Sequence, residues 1–136
     1  MKILDKDCFI DTSALFSLLD NNDQNSNQSS KMFSELIDGD YKLITSNYVI
    51  LESTALIQRR LGFDALLDFS ENFIPVFDEI IWVDDKLHFQ GMSKLKLDNR
   101  RDLSLVDCVS FEIILNRRIN KVFAFDNILA KKDLKC

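Results

Sequence analysis

Histidine and proline occur once each in this sequence, and glycine and cysteine three times each. The single histidine, His88, sits between Leu87 and Phe89 with no motif around it. It reads as a structural or surface residue, which argues against Ser-His-Asp or Cys-His nucleophilic machinery. Cys8, Cys108 and Cys136 are odd in number and lack CxxC spacing, which sets aside a zinc site or a disulfide framework. They read as reduced thiols, two of them in the core, of a cytoplasmic protein. With so little proline and glycine, 46% hydrophobic and 29% charged residues describe a compact globular chain rather than a disordered one. No run reaches the ~18 apolar residues of a membrane span. "MKILDKDCFID" carries acids early and no small-residue cleavage site, so no signal peptide is expected.

A surplus of positive charge is missing too. The net charge of −5 argues against a general nucleic-acid coat protein, which needs Lys and Arg in excess. A cluster of metal-binding acids would itself lower that balance. The local basic stretches, Arg59-Arg60, "KLKLDNRR" at 94–101, Arg117-Arg118 and Lys131-Lys132, read as solvated helix faces.

What is present alternates between strand and helix signals. "CFID" reads as a buried strand ending at Asp11, and "SALFSLL" (13–19) as a helix capped by Asp11, Thr12 or Ser13. "DNNDQNSNQSS" (20–30) has no apolar residue and reads as an exposed loop. A helix from Ser29 or Ser30 stops at Gly39, and "YKLITS" is the second strand. A helix runs from Asn47 to Gly62, with Arg59 and Arg60 in the last turn, where cations suit the helix dipole. "FDALLDFSENF" is a helix ended by Pro75, and "EIIWV" (79–83) is the clearest β-rich run. Residues 85–97 are helix-compatible, and Ser104 opens an apolar helix to about Ile119. "KVFAF" (121–125) is the fourth strand, followed by a short helix and an edge strand near Leu134. Strands separated by helices imply one α/β domain over residues 1–136, a three-layer α/β/α with a central four- or five-stranded parallel sheet.

In such sheets functional groups gather at the carboxyl ends of the strands. Asp11 and Asp126 both fall there, in "FID" and "FAFD". Glu52 and Asp107 are single charges in apolar helix sequence, and a buried charge needs a cation, hydrogen bonds or solvent. Converging acids cannot all stay ionised unless a metal neutralises them. Oxygen ligands without His or Cys point to Mg²⁺ or Mn²⁺, and so to phosphodiester hydrolysis by a metal-activated water. Each acid also has a plainer reading. Asp11 and Asp126 can cap helices, Asp107 can be the acidic half of a capping box with Ser104, and Glu52 can be an exposed helix acid. Thr12 and Ser13 have hydroxyls that could orient a metal-bound water, and Arg100 and Arg101 are the first candidates for contacts to neighbouring phosphates.

"FIDTSAL", "ITSNYVILES", "DLSLVDCVSF" and "VFAFDNIL", in this order and spacing, resemble the four motifs of the PIN-domain nucleases, which include VapC-type toxins. The resemblance runs nearly end to end. It implies an α/β fold and a Mg²⁺ or Mn²⁺ site formed by Asp11, Glu52, Asp107 and Asp126, with ribonuclease activity on RNA. It also implies frequent homodimers and, in toxin members, a small antitoxin. The polar stretch 20–30 looks long for this family. Rival readings are a non-catalytic module binding RNA or a partner, a non-toxin RNA-processing nuclease, and an aspartyl-nucleophile phosphatase. The last would want an acid where Ser13 stands.

Overall fold

The computed structural model describes residues 6–125 of the chain. Four strands, β1 (Asp7–Ile10), β2 (Lys42–Ser46), β3 (Glu79–Ile81) and β4 (Lys121–Phe123), pair in parallel in the order β3-β2-β1-β4. Around them lie α1 (Thr12–Leu19), α2 (Ser26–Asp38), α3 (Asn47–Leu61), α4 (Phe63–Asp68), α5 (Asp85–Asp98) and α6 (Leu105–Arg117). The helices cover both sides of the sheet, as the alternating pattern requires. None of them is long and apolar enough to cross a membrane. Asp126, Cys136, the short helix after Asp126 and the edge strand near Leu134 lie outside the described residues.

The two central strands carry the core. Cys8, Phe9 and Ile10 of β1 and Leu43 and Ile44 of β2 are buried, and Phe123 joins them from β4. Such unbroken runs belong to strands covered on both faces. Register pairs Phe9 with Ile44 and with Val122, so β1, β2 and β4 end close together. Thr45, fully buried in β2, donates its hydroxyl to the carbonyl of Ile10 at 2.9 Å.

Three expectations change. The stretch 20–30 is not all exposed loop, because α2 already begins at Ser26 and Ser29 is fully buried. Asp20 and Asp23 accept from the N–H groups of Asn22 and Asn25, which makes tight polar turns before the helix. Ser29 then bonds Ser17 of α1 through its hydroxyl, so a polar contact, invisible to hydrophobic periodicity, docks α2. "EIIWV" is shortened to the three-residue edge strand β3, since among the described residues it has only β2 beside it and Trp82 is 76% exposed. The helix expected over 63–73 is regular only as α4; it loosens into a π-helical turn at Phe69–Phe73 and a 3₁₀ turn at Ile74–Val76 that accommodates Pro75.

Gly91 explains itself through packing. A Cβ there would stand 2.5 Å from Val109 Cγ2, so the bare backbone lets α5 lie close against α6. That contact is half a turn from Asp107 and fixes the helix that carries it.

At the opposite edge, Glu79 joins β3 to its neighbours. Its carboxylate accepts from both Arg117 nitrogens and pairs with Lys42 at 3.0 Å. The Arg117 guanidinium, then the Lys42 ammonium, hold the Glu79 carboxyl at about 2, below its ordinary 4.5. A depressed carboxylate stabilises above its ordinary pKa, and that contribution fades as pH falls from about 4.5 to about 2. Glu79→Gln should therefore melt below wild type at neutral pH, with the gap narrowing across this window. A constant gap in pH-dependent thermal melts would mean the ionic component contributes nothing.

Candidate active site

The chain leaves β1 and turns at once into α1, with Asp11 as the N-cap in extended geometry (φ −98°, ψ 165°). Asp11 donates its N–H to the carbonyl of Phe123 at 3.1 Å. Its Oδ2 accepts from Ser13 N–H at 3.5 Å and from the Ser13 hydroxyl at 3.2 Å. The same Ser13 oxygen accepts from the N–H of Phe125 at 2.8 Å. Ser13 thus holds the Asp11 carboxylate and fastens the exit of β4 to the exit of β1. Its hydroxyl serves positioning.

Asp107 occupies the first turn of α6 in a full capping box. Ser104 Oγ accepts from Asp107 N–H at 3.0 Å, and Asp107 Oδ2 accepts from Ser104 N–H at 3.1 Å. Glu52 comes from α3, which Ser46 caps by accepting from Val49 N–H at 3.1 Å. Six residues into that helix, packed between α1 and α6, Glu52 is half-buried. It is not a fully exposed helix acid.

Asp11, Thr12, Ser13, Glu52, Ala55, Leu56, Arg59, Ser104 and Asp107 line one cavity of about 530 Å³. Three carboxylates distant in sequence therefore open on a common space. Asp11 is 2% exposed and Asp107 8%, so both acids sit in the wall rather than on the surface. Capping and lining do not compete, because a carboxylate has two oxygens and about four acceptor directions. Each of these two acids also lies at a helix N-terminus, whose N–H groups and dipole favour negative charge.

Arg100 and Arg101 are not among the lining residues. Arg100 instead forms a two-point ion pair with Asp102, at 3.0 and 2.8 Å. Asp126 lies outside the described residues. His88 accepts or donates at Nδ1 to the Tyr48 hydroxyl at 2.5 Å, joining α5 to α3 as a structural residue. The residue that sequence reading left on a solvated face is Arg59. Its signal was available in the spacing: Glu52, Ala55, Leu56 and Arg59 follow i, i+3, i+4, i+7, one stripe of a helix.

The sequence matches the PIN-domain family model over residues 8–135. The chain belongs to the PIN-domain family. No curated protein matches it. Among solved structures, the crystal structure of Mycobacterium tuberculosis VapC20, described as a sarcin-ricin loop cleaving toxin, is similar with a TM-score of 0.81. The similarity covers 92% of this chain and 94% of that one at 24% identity, which establishes a shared fold.

The donor set of this PIN domain suits a hard divalent cation. Among the described residues its lining offers carboxylate and hydroxyl oxygens without imidazole or thiolate, the ligand chemistry of Mg²⁺ or Mn²⁺. The buried Thr12 hydroxyl makes no hydrogen bond among the described residues, although it lines the same cavity. No three acid, His or Cys side chains among the described residues close into a ready-made cage. Mg²⁺ needs none, since it keeps several waters and is held by one or two carboxylates together with substrate phosphates.

The double duty of Asp11 separates cap from charge. Asn caps a helix as well as Asp, whereas Ala costs about 0.5–2 kcal/mol. In metal-free buffer Asp11→Asn should melt at or above wild type, having shed like-charge repulsion, and Asp11→Ala should melt a few degrees below Asp11→Asn. Equal melting of the two variants by calorimetry would show that Asp11 is no cap.

Proposed function

We propose that this PIN domain is a Mg²⁺- or Mn²⁺-dependent endoribonuclease that hydrolyses RNA phosphodiester bonds with water, and that it serves as the toxin of a type II toxin–antitoxin pair in the cytoplasm. The observation that carries the reading is the common cavity of Asp11, Glu52 and Asp107. Asp126, next after the exit of β4 in sequence, completes the proposed acidic set. Family membership supports nuclease chemistry, and the fold shared with VapC20 supports the toxin role and a small antitoxin partner.

When bound, the divalent ion supplies Lewis-acid polarisation of the phosphoryl oxygens and lowers the pKa of a coordinated water. The protein's part is positioning. Asp11 and Asp107, each braced by its cap, and Glu52 from α3 would hold the ion. Ser13 fixes the orientation of Asp11, and Ser104 that of Asp107. Thr12 offers its hydroxyl to a water in the cavity. No covalent enzyme intermediate is required.

Two copies are proposed to associate through the face at the start of α3. Leu51, Trp82 and Phe89 are 70%, 76% and 64% exposed. The Val83–Asn47 and Tyr48–His88 hydrogen bonds bring their elements together there. Large exposed apolar patches mark interfaces.

Incubated with cellular RNA, the purified chain should cleave with Mg²⁺ and stop in EDTA. Asp11→Asn and Glu52→Gln should lower the rate at least a hundredfold, and induced expression should slow growth only with the acids intact. Cleavage that persists in EDTA or in Asp11→Asn would refute the mechanism. By light scattering, the wild type should have the mass of a dimer and Leu51→Glu that of a monomer; equal masses would reject this face.

A further inference from the structure

Among the described residues, Arg59 is the one cation in the lining of the acidic cavity. Its position follows from α3. Seven residues of helix span about 10.5 Å, so Arg59 stands two turns from Glu52 on the same stripe, toward the C-terminal end of the helix. Between them the wall is apolar, Ala55 and Leu56.

Several other cations have partners. Arg100 holds Asp102, Arg117 and Lys42 hold Glu79, and Lys94 pairs with Asp98. Arg60, Arg59's neighbour in the last turn of α3, lies over the Phe16 ring, 5.9 Å from its centroid. Arg59 is exposed and makes no hydrogen bond or ion pair among the described residues. A role at the helix C-terminus would be served equally by Arg60, so it does not explain why Arg59 borders the cavity.

We infer that Arg59 anchors an RNA phosphate adjacent to the one at the acids, so that the strand runs along α3 from Glu52 toward the end of the helix. The inference rests on the ribonuclease reading. A guanidinium presents a planar fork of donors that matches two phosphate oxygens. Its separation from Glu52 keeps it off the scissile phosphate and suits it to a neighbour. The apolar interval of Ala55 and Leu56 then meets the intervening sugar and base, which carry no charge. Phosphate contacts set register and affinity without reading sequence, so Arg59 acts on binding rather than on the chemical step.

The test measures the salt dependence of binding of a labelled single-stranded RNA oligonucleotide to the full chain, in Ca²⁺, with cleavage of the same RNA followed separately in Mg²⁺. Losing one phosphate contact should flatten the slope of log K against log salt by about 0.7 and weaken binding about fivefold near 0.1 M salt. Arg59→Ala should show both changes, with KM raised and kcat little altered. Arg59→Lys should restore the slope, because it keeps the charge. Arg60→Ala should keep the wild-type slope while melting at a lower temperature. An Arg59→Ala slope equal to wild type would overturn the assignment and leave the nuclease reading standing. A flattened slope in a chain that cleaves no RNA would uphold Arg59 and sink the nuclease. No RNA binding by the wild type would reject both.

Discussion

Burying two carboxylates is the constraint around which this molecule is arranged. An ionised acid taken from water is costly unless hydrogen bonds, a dipole or a cation meet it. Asp11 and Asp107 are each met by the start of a helix, α1 and α6, whose N–H groups point at them. Parallel topology supplies this economically. Every strand must hand over to a crossover helix at the same edge, so helix N-termini collect where strands end. The core strands β1 and β2 fix those ends, and the bond from Thr45 to Ile10 holds their register at the edge itself. Interior packing and acidic site are therefore one problem with one solution.

For Asp11 and Asp107 the capping role leaves the proposed chemical role open. Asp107 completes a capping box with Ser104 and also faces the cavity. Asp11 caps α1 while Ser13 ties it to the exit of β4. A cap is an effective way to immobilise a carboxylate, because it locks the side chain through backbone groups that cannot rotate away. Groups meant to hold an ion need that rigidity more than they need independence from the fold.

Much of this was legible because it rests on short-range rules. An apolar run ending in Asp gives a strand and then a cap, Ser104 and Asp107 are three apart, and Gly39 and Gly62 end helices as expected. What escaped depends on which way a side chain points in three dimensions. Ser29 carries no apolar signal, yet it is buried against Ser17 and extends α2 backwards into a stretch that reads as loop. "EIIWV" has strong β character, but its strand lies at the edge of the sheet, where Trp82 finds solvent instead of a partner. Arg59, Arg60, Arg100 and Arg101 look alike as basic pairs. Helical phase sends Arg59 to the cavity and Arg60 to Phe16, while Asp102 engages Arg100.

The net charge of −5 bears on RNA less than it first suggests. At physiological salt a charge is felt over roughly 8 Å, so a phosphate in the cavity responds to the groups lining it and hardly to acids elsewhere. Of the lining charges among the described residues three are negative and one positive. On the proposed reading the cavity without a divalent ion repels a phosphate; an ion would offset much of the charge of the acids and give the guanidinium at the rim more weight. Ion and RNA would then favour each other's entry. On the proposed ribonuclease reading, the same balance would make affinity for RNA at large low and ion-dependent, as suits an enzyme with a limited target.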